Sequence, residues 1–400
     1  MTAAADNRAT RLDEASILEE ARERAGLDDF GSPEFWEPLR VILRGLEDEA
    51  RLNPGGRMGQ RERIVGLLVN RLRAQSWFAR HPEIVEETLE DPIVIVGFPR
   101  TGTTMLHRTI ASEPRMYSIA WWETRNPAPF PGWTPENAAL DRDPRIADAE
   151  KQIRAMLEAN PDLAAVHPFE AEGPDEEIMI LEHSFISGVP PAFANLPSYF
   201  DWLEAHDNGP GYAYMKQLIQ FLQWQKKQRG EERERWVLKT PHHLMHLDLL
   251  FEHFPGATVI QTHRDPVETM PSFASMNYES RLLASDEVDA EETGAQWCNR
   301  FRKAMERCLD VRDRMPAERF VDIWYRDAVA DPIAQVKRIY DHVGMTFTKE
   351  AERAMLAWAE ENRRGDRPTH DYTLEQFGFS EESLRRDFAG YRARFIAERS

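Results

Sequence analysis

The sequence has little cysteine and no long apolar run. Its two cysteines, Cys298 and Cys308, lie within one stretch of helical pattern, so no disulfide framework is predicted and a reducing cytoplasm is expected. No segment reaches the roughly 18 consecutive apolar residues that span a membrane, and the first residues lack the apolar run of a secretory leader. These absences predict a soluble, cytoplasmic protein without a transmembrane segment.

The sequence also has fewer basic than acidic residues. The chain has 50 lysines and arginines against 69 aspartates and glutamates, which gives a formal net charge of -19 at pH 7. A general nucleic-acid-binding function is not expected, because neutralising backbone phosphates requires a basic surface. A local basic pocket is still compatible with this balance. The length of 400 residues suits one large α/β domain with insertions or two modest domains.

One stretch, residues 92–108, predicts a strand, a tight loop and a helix in immediate succession. The four β-branched residues from Ile93 to Val96 suit a strand that is buried on both faces of a parallel sheet. The helix is predicted to begin at Thr103 or Thr104, where free N–H groups and the positive end of the helix dipole favour an anion. The stretch therefore predicts an anion-binding loop.

The loop has the glycine spacing of a Walker A motif but a different charge. Between Gly97 and Gly102 the spacing fits, yet Thr103 occupies the position of the motif's lysine and the cation is Arg100. A kinase of this type also needs Mg²⁺ held by an aspartate at the end of another strand. The best candidate, Asp322, lies inside its apolar run instead. Both departures disfavour a kinase.

Three further strands are predicted to deliver charged residues to the same edge of the sheet. One runs from Met116 into Glu123, one ends at Lys239, and one is followed by Arg264. Ligands of doubly wound sheets lie beyond the carboxyl ends of the strands, so these residues are site candidates. Ser272 lies two helical turns beyond Arg264, and an arginine with a hydroxyl can hold a second phosphate. Two anion sites imply a ligand that is phosphorylated at both ends.

Helical segments are predicted around this sheet. Residues 1–90 read as a helical layer packed on the core, with a dimer surface, and hence a homodimer, as the alternative. Residues 126–230 mix prolines, loops and aromatic side chains, which is typical of a substrate cover. At the start of this cover, His167, Glu170 and Glu172 are candidates for contact with the substrate.

Two clusters carry weaker signals. His242, His243 and His246 have a spacing that occurs in metal sites, but no carboxylate or further histidine stands at a matching position, so no metal is predicted. The basic loop 363–372 is either a solvated charge run or part of the site, and its role stays open.

Two of these motifs together resemble the sulfotransferases that use 3′-phosphoadenylyl sulfate (PAPS), and a bacterial branch of them most closely. That family binds the 5′-phosphosulfate in a Pro-Lys/Arg-Ser/Thr-Gly-Thr-Thr loop and the 3′-phosphate with an arginine and a serine eight residues later. Here the loop runs from Pro99 to Thr104 and the pair is Arg264 and Ser272. The resemblance implies a P-loop-type parallel sheet flanked by helices, in a catalytic domain at 91–400.

The resemblance also implies a set of site residues and no metal. Arg100 and Lys239 would stabilise charge on the transferring group. Cytosolic relatives carry a catalytic histidine two residues after the lysine, where this chain has Pro241, so the base must come from elsewhere. Other branches use a glutamate after the strand that follows the loop, and Glu123 is similar in position; a residue of the stretch 167–172 is the alternative. The implied cofactor-binding residues are Arg100, Thr101, Gly102, Thr103, Thr104, Arg264 and Ser272.

The implied reaction is in-line transfer of a sulfuryl group from PAPS to a hydroxyl or amine, which leaves adenosine 3′,5′-bisphosphate. Small molecules, glycans and lipids all stay open as acceptors. Two other classes of function also stay open: a P-loop kinase that uses ATP with Mg²⁺, and a non-catalytic nucleotide-binding protein.

Overall fold

The computed structural model describes residues 9–139, 142–159, 169–362 and 372–397. In chain order its helices and strands are α1 (Glu14–Ala25), α2 (Trp36–Asp48), α3 (Pro54–Arg80), β1 (Ile93–Gly97), α4 (Thr103–Ala111), β2 (Met116–Tyr117), α5 (Trp121–Arg125), α6 (Pro144–Ala159), α7 (Ile178–Leu181), α8 (Pro190–Phe193), α9 (Pro197–Ala205), α10 (Gly209–Gln228), β3 (Arg235–Lys239), α11 (Leu247–His253), β4 (Thr258–His263), α12 (Pro266–Leu282), α13 (Ala290–Arg314), β5 (Phe320–Trp324), α14 (Tyr325–Ala330), α15 (Pro332–His342), α16 (Lys349–Glu361), α17 (Glu381–Asp387) and α18 (Ala389–Phe395). Short 3₁₀ turns include Pro241–Met245, directly after β3.

The strands in the described part of the chain form a parallel sheet in the order β2-β3-β1-β4-β5. The β-branched residues of β1 are fully buried. Val94 and Val96 belong to the apolar cluster on one face of the sheet, whereas Ile93 and Ile95 belong to the cluster on the other face. Burial on both faces explains the uninterrupted apolar run. The predicted α/β fold, a parallel sheet flanked by helices, is confirmed.

Strand β1 lies at the point where the order of the strands reverses. Val94 pairs with Leu238 of β3 on one side and with Val259 of β4 on the other. Both neighbours come later in the chain, and β2 and β5 lie outside them at the two edges. In open parallel sheets such a switch point is where ligands bind, beyond the carboxyl ends of the strands. The loop after β1 occupies this position.

The predicted strand from Met116 to Glu123 is wrong beyond Tyr117. After β2 the chain leaves the sheet and pairs with residues 171–175: the Trp121 N–H donates to the Gly173 carbonyl at 2.9 Å, and the Trp122 N–H donates to the Ala171 carbonyl at 3.0 Å. Glu123 lies in the first turn of α5, where its carboxylate accepts the Ala120 N–H at 2.9 Å. The aromatic run suits a strand locally, but pairing with the distant segment overrides that preference.

The N-terminal helices have an apolar cluster of their own. Buried side chains of α1, α2 and α3 pack with residues of the insertion, including Phe185, Leu196 and Tyr199. The last turns of α3, at Ala74 and Trp77, join the cluster on the sheet instead. The N-terminal helices therefore pack against part of the predicted substrate cover. No helix in the described ranges is both long and apolar enough to cross a membrane.

Candidate active site

The loop between β1 and α4 has the geometry of an anion cradle. The backbone takes the left-handed conformation at Arg100, with φ 67°, and at Gly102, with φ 86°. Helix α4 then begins at Thr103, as predicted, and no side chain caps its N-terminus. The N–H groups of the first turn, which have no partner within a helix, are thus left for a ligand.

Thr101 holds this loop against β4. Its side chain is fully buried, and its hydroxyl donates to the Phe98 carbonyl at 2.6 Å and lies 2.6 Å from the Thr262 hydroxyl. A Cβ on Gly97 would come within 2.2 Å of the same Thr262 hydroxyl, so glycine is required there for the close approach. The predicted ligand-binding residue Thr101 therefore directs its hydroxyl into the protein, and only its backbone belongs to the cradle.

Lys239 lies beside the first turn of α4. Its ammonium group, only 1% exposed, donates to the Thr104 hydroxyl at 3.3 Å and forms an ion pair with Glu176. The Glu176 side chain is 22% exposed. Burial raises the pKa of the Glu176 carboxyl above its ordinary value of 4.5, against the opposing effect of the Lys239 charge. A cation, a carboxylate with a raised pKa and an open helix N-terminus thus meet at one place.

Three fully buried side chains, those of Glu177, His243 and Tyr212, form a hydrogen-bonded chain next to the Lys239–Glu176 pair. Glu177 accepts the Lys239 backbone N–H at 2.6 Å with one carboxylate oxygen, and its other oxygen lies 2.8 Å from Nε2 of His243. The Nδ1 atom of His243 lies 2.6 Å from the Tyr212 hydroxyl. These contacts fix the segment that carries Glu176 to the end of β3. No group of three candidate metal ligands occurs among the described residues.

The predicted second anion site adjoins the loop. The Arg264 guanidinium donates to the Arg100 carbonyl at 3.1 Å and pairs with Glu268 at 2.8 Å. It also lies 4.3 Å from the ring centre of Tyr325, and a Cβ on Gly102 would come within 3.1 Å of that ring. Tyr325 therefore packs between the loop and Arg264. Ser272 is buried two turns into α12, and the described residues provide no hydrogen-bond partner for its hydroxyl.

Glu123 belongs to a separate, fully buried ion network. Its carboxylate lies 2.7 Å from the Lys226 ammonium and 3.4 Å from the Arg229 guanidinium, in addition to the backbone contact with Ala120. Burial lowers the pKa of Lys226. The structure thus brings Glu123 together with cations of α10 and its C-terminus, whereas Lys239 contacts a different carboxylate. The role of Glu123 as the base stays a prediction, and its occupied oxygen atoms argue against it.

Of the remaining candidates from the sequence, some belong to the residues that the structure describes and others do not. Glu170 pairs with Arg108 at 3.0 Å, and Glu172 pairs with the exposed Arg142 at 2.8 Å. His167 and positions 363–371 of the basic loop lie outside the described residues. Sequence reasoning missed Glu176 and Tyr325. The acidic run that contains Glu176 was visible, but nothing local connected it with Lys239, which is far away in sequence.

Comparison with known proteins identifies the family of the chain. The family model described as "Sulfotransferase family" matches residues 92–349, from the start of β1 to the first residue of α16. The chain belongs to the sulfotransferase family. The predicted family and class of transferase are thereby confirmed, and the matched region contains the loop, Lys239, Glu176 and Arg264.

Solved structures resemble this sulfotransferase over nearly its whole length. Sulfotransferase STF1 from Mycobacterium tuberculosis H37Rv is 31% identical, with a TM-score of 0.81 over 94% of this chain and 98% of that one. Sulfotransferase STF9 from Mycobacterium avium is 26% identical, with a TM-score of 0.86 over 96% of this chain and 97% of that one.

The curated relatives carry the name omega-hydroxy-beta-dihydromenaquinone-9 sulfotransferase Stf3. The proteins from Mycobacterium bovis and Mycobacterium tuberculosis are each 28% identical to this sulfotransferase over 273 residues, which is 66% of this chain. The match spans 65% of the length of these relatives.

Proposed function

We propose that this chain transfers the sulfuryl group of PAPS to a hydroxyl group of an apolar acceptor, with Glu176 as the base. The observation that carries the proposal is the position of the Lys239 ammonium, which contacts both Thr104 at the helix N-terminus and the Glu176 carboxylate. Lys239 thereby lies between the proposed position of the leaving group, at the N-terminus of α4, and the Glu176 carboxylate, which can take up a proton. The chemistry of sulfuryl transfer requires both.

The residues present fit a donor with two anionic ends. The uncapped first turn of α4 offers N–H groups to the 5′ end, together with the side chains of Arg100, Thr103 and Thr104. Arg264 and Ser272 would hold the 3′-phosphate, with Tyr325 packed against the guanidinium. PAPS supplies an activated sulfuryl group to such a site. Lys239 would stabilise charge on the oxygen atoms of the departing group.

Glu176 is the better candidate for the base because of its accessibility and its protonation behaviour. Its side chain is partly exposed and its pKa is raised by burial, which brings a carboxylate closer to the range where it works as a base. The Glu123 carboxylate is closed off by Lys226 and by a backbone N–H. Glu176 therefore accepts the proton of the acceptor hydroxyl, while Lys239 holds both the carboxylate and the Thr104 hydroxyl in place.

The acceptor is proposed to be a lipid alcohol. The curated relatives are named for a hydroxylated menaquinone derivative, and the predicted substrate cover carries buried aromatic side chains, among them Phe185, Tyr199 and Phe200. An apolar substrate suits a cover of this composition. The donor and this acceptor class together define the reaction as transfer of a sulfuryl group to a terminal hydroxyl.

Calorimetric titration tests the donor assignment. We expect adenosine 3′,5′-bisphosphate to bind without metal, ATP with Mg²⁺ to bind much more weakly, and Arg264→Ala to weaken binding of the bisphosphate by about tenfold or more. Arg302→Ala, on an exposed face of α13, is the matched control. Preference for ATP with Mg²⁺ would overturn the proposal in favour of a kinase. Tight bisphosphate binding without turnover of an ω-hydroxylated prenylquinol would contradict the proposed acceptor.

A further inference from the structure

A second buried polar cluster lies next to the proposed transfer site and takes no part in it. It consists of His242, His246 and Arg300, each more than nine-tenths buried. Within the described residues, the buried side-chain nitrogens without a hydrogen-bond partner include Nε2 of both histidines and Nη1 of Arg300. Groups left unpaired in the interior lose the hydrogen bonds that water gives them in the unfolded chain, so folded proteins contain few of them. Three of them together therefore indicate that something absent from the protein chain completes the cluster.

These side chains are neighbours in space. The rings of His242 and His246 are 4.9 Å apart between centres. A Cβ on Gly188 would lie 3.3 Å from Nδ1 of His242 and 3.8 Å from Nη2 of Arg300, so both side chains face the same glycine. The nearest carboxylate to Nη1 of Arg300 belongs to Glu204, at 3.9 Å, which is beyond hydrogen-bonding distance. Lys303 takes the other oxygen of that carboxylate at 2.6 Å. The Arg300 charge is thus only partly compensated.

The cluster is adjacent to the transfer site. His242 follows Lys239 by three residues, so their Cα atoms are within about 11 Å of each other, since one residue spans at most about 3.6 Å. Next to Arg300, Phe301 has its ring centre 5.8 Å from that of Phe98 in the anion-binding loop. Aromatic side chains lie beside the cluster: the Arg300 guanidinium is 4.9 Å from the ring centre of Phe200, and the centre of the Tyr212 ring is 6.5 Å from that of His242 and 6.0 Å from that of His246.

We infer that His242, His246 and Arg300 form an acceptor subsite that binds an oxygen-bearing group of the substrate, a carboxylate or a carbonyl, separate from the hydroxyl that reacts. The placement of this subsite rests on the proposed function. Arginine provides donors only, and a neutral imidazole can donate from Nε2, so the complementary group is one that only accepts hydrogen bonds. The surrounding rings suit an aryl or quinonoid carrier of that group.

Histidine-selective NMR tests the subsite with small probes. Protein labelled with ¹³C at histidine Cε1 is titrated with benzoate, acetophenone and benzylamine, and the His242 and His246 signals are assigned with His242→Gln and His246→Gln. We expect benzoate or acetophenone to shift both signals and benzylamine to shift neither. Which of the first two binds distinguishes an oxyanion from a neutral carbonyl. Arg300→Met should weaken the response by about tenfold, as expected for loss of a charge-assisted hydrogen bond, and Arg302→Met should not.

Three results would overturn the inference: no shift with either oxygen-bearing probe, equal shifts with benzylamine, or a response that Arg300→Met leaves unchanged. Circular dichroism shows whether Arg300→Met is folded. If it is not, Arg300→Lys is used instead, because lysine keeps the charge but lacks the planar set of donors. Bisphosphate binding is measured on the same samples. If the bisphosphate binds but the probes cause no shift, the inferred subsite is wrong and the proposed donor still holds. If the probes cause shifts but the bisphosphate does not bind, the proposed donor is wrong and the subsite still holds.

Discussion

At the scale of single residues, two carboxylates compete for the role of base, and their surroundings differ. Glu123 has its oxygens occupied by Lys226, Arg229 and a backbone N–H. Among the described residues, Glu176 has one cation partner, Lys239, and its side chain is partly exposed. A base must reach its substrate and release its proton afterwards, so a carboxylate with both oxygens committed to buried contacts, as in Glu123, is poorly suited.

Substituting each carboxylate by its amide separates the two roles. Glu176→Gln should lower kcat by about 10²- to 10⁴-fold, the usual contribution of a general base, and leave bisphosphate binding nearly unchanged, although it also lowers the melting temperature because the buried Lys239 loses its charged partner. Glu123→Gln should instead lower the free energy of unfolding by roughly 3–5 kcal/mol, because it leaves Lys226 without its ion pair. Glu381→Gln, at an exposed position of α17, is the matched control. Loss of turnover in a fully stable Glu123→Gln protein would restore Glu123 as the base.

The pH dependence of turnover gives a second readout of Glu176. A general base must be deprotonated, so kcat should fall as pH drops through the pKa of its carboxyl. Burial raises that pKa above the ordinary value of 4.5, and the acid limb of the profile should therefore lie above pH 4.5. The limb should disappear from the residual activity of Glu176→Gln. An unchanged acid limb in that variant would assign it to another group.

Tyr325 is predicted to support the second anion site through its ring. Its ring centre lies 4.3 Å from the Arg264 guanidinium, and such contacts contribute about 0.5–2 kcal/mol. Tyr325→Ala should therefore weaken bisphosphate binding by about 3- to 30-fold in calorimetry, whereas Tyr325→Phe should bind nearly as well as the native protein. Equal losses in both variants would place the effect in the hydroxyl, and no loss in either would exclude Tyr325 from the site.

At the scale of elements, sequence patterns located the central strands well. The third strand ends at Lys239 as predicted, and β4 ends at His263, directly before Arg264, as expected for a strand that is followed by this arginine. These strands are short apolar runs buried on both faces, and burial leaves few alternatives for such a run. The stretch after Met116 has equally strong strand formers, but its N–H groups pair with residues 171–175. That contact depends on the whole fold, so no local pattern could reveal it.

The same reasoning explains which parts of the site were predictable. Arg100, Gly102 and the helix start at Thr103 form one continuous motif, so their sequence spacing carries their geometry. Lys239 is recognisable from its place at the end of a strand. Glu176 reaches Lys239 only because residues 171–175 dock beside Ile119 and Trp121, where the Asp175 N–H donates to the Ile119 carbonyl at 2.8 Å. Long-range pairing, rather than residue type, makes it a site residue.

A chain of hydrogen bonds runs from Tyr212 of α10 through His243 and Glu177 to the backbone of β3. It is predicted to hold the segment that carries Glu176 in place. Tyr212→Phe removes the hydroxyl that bonds His243, and leaving a buried polar atom unpaired costs about 1–3 kcal/mol. We expect the free energy of unfolding in urea to fall by that amount, with a smaller loss of kcat as the Glu176 segment loosens. Tyr214→Phe, on the same helix, is the control, because its hydroxyl has no hydrogen-bond partner in the described ranges. Equal stability of the two variants would contradict a structural role for the chain of contacts.

At the scale of the whole molecule, several buried histidines should make the fold sensitive to mild acid. Burial lowers the pKa of His183 to about 4 and of His246 to about 3, and it holds the pKa of His107 and His242 well below 6.5. These groups stay neutral in the folded state, yet each takes up a proton near pH 6.5 once the chain unfolds. Between those values the unfolded chain binds more protons, so stability must decrease as pH falls.

The melting temperature should therefore drop between pH 7 and pH 5, before most carboxylates titrate. Each such histidine removes at most roughly 1.4 kcal/mol of unfolding free energy per pH unit below about 6.5. His183→Asn and His246→Gln should flatten the profile in this range, although both lower the melting temperature at pH 7. A native profile that is flat from pH 7 to pH 5 would contradict the prediction, because the buried imidazoles would then take up protons in the folded state as readily as in the unfolded chain.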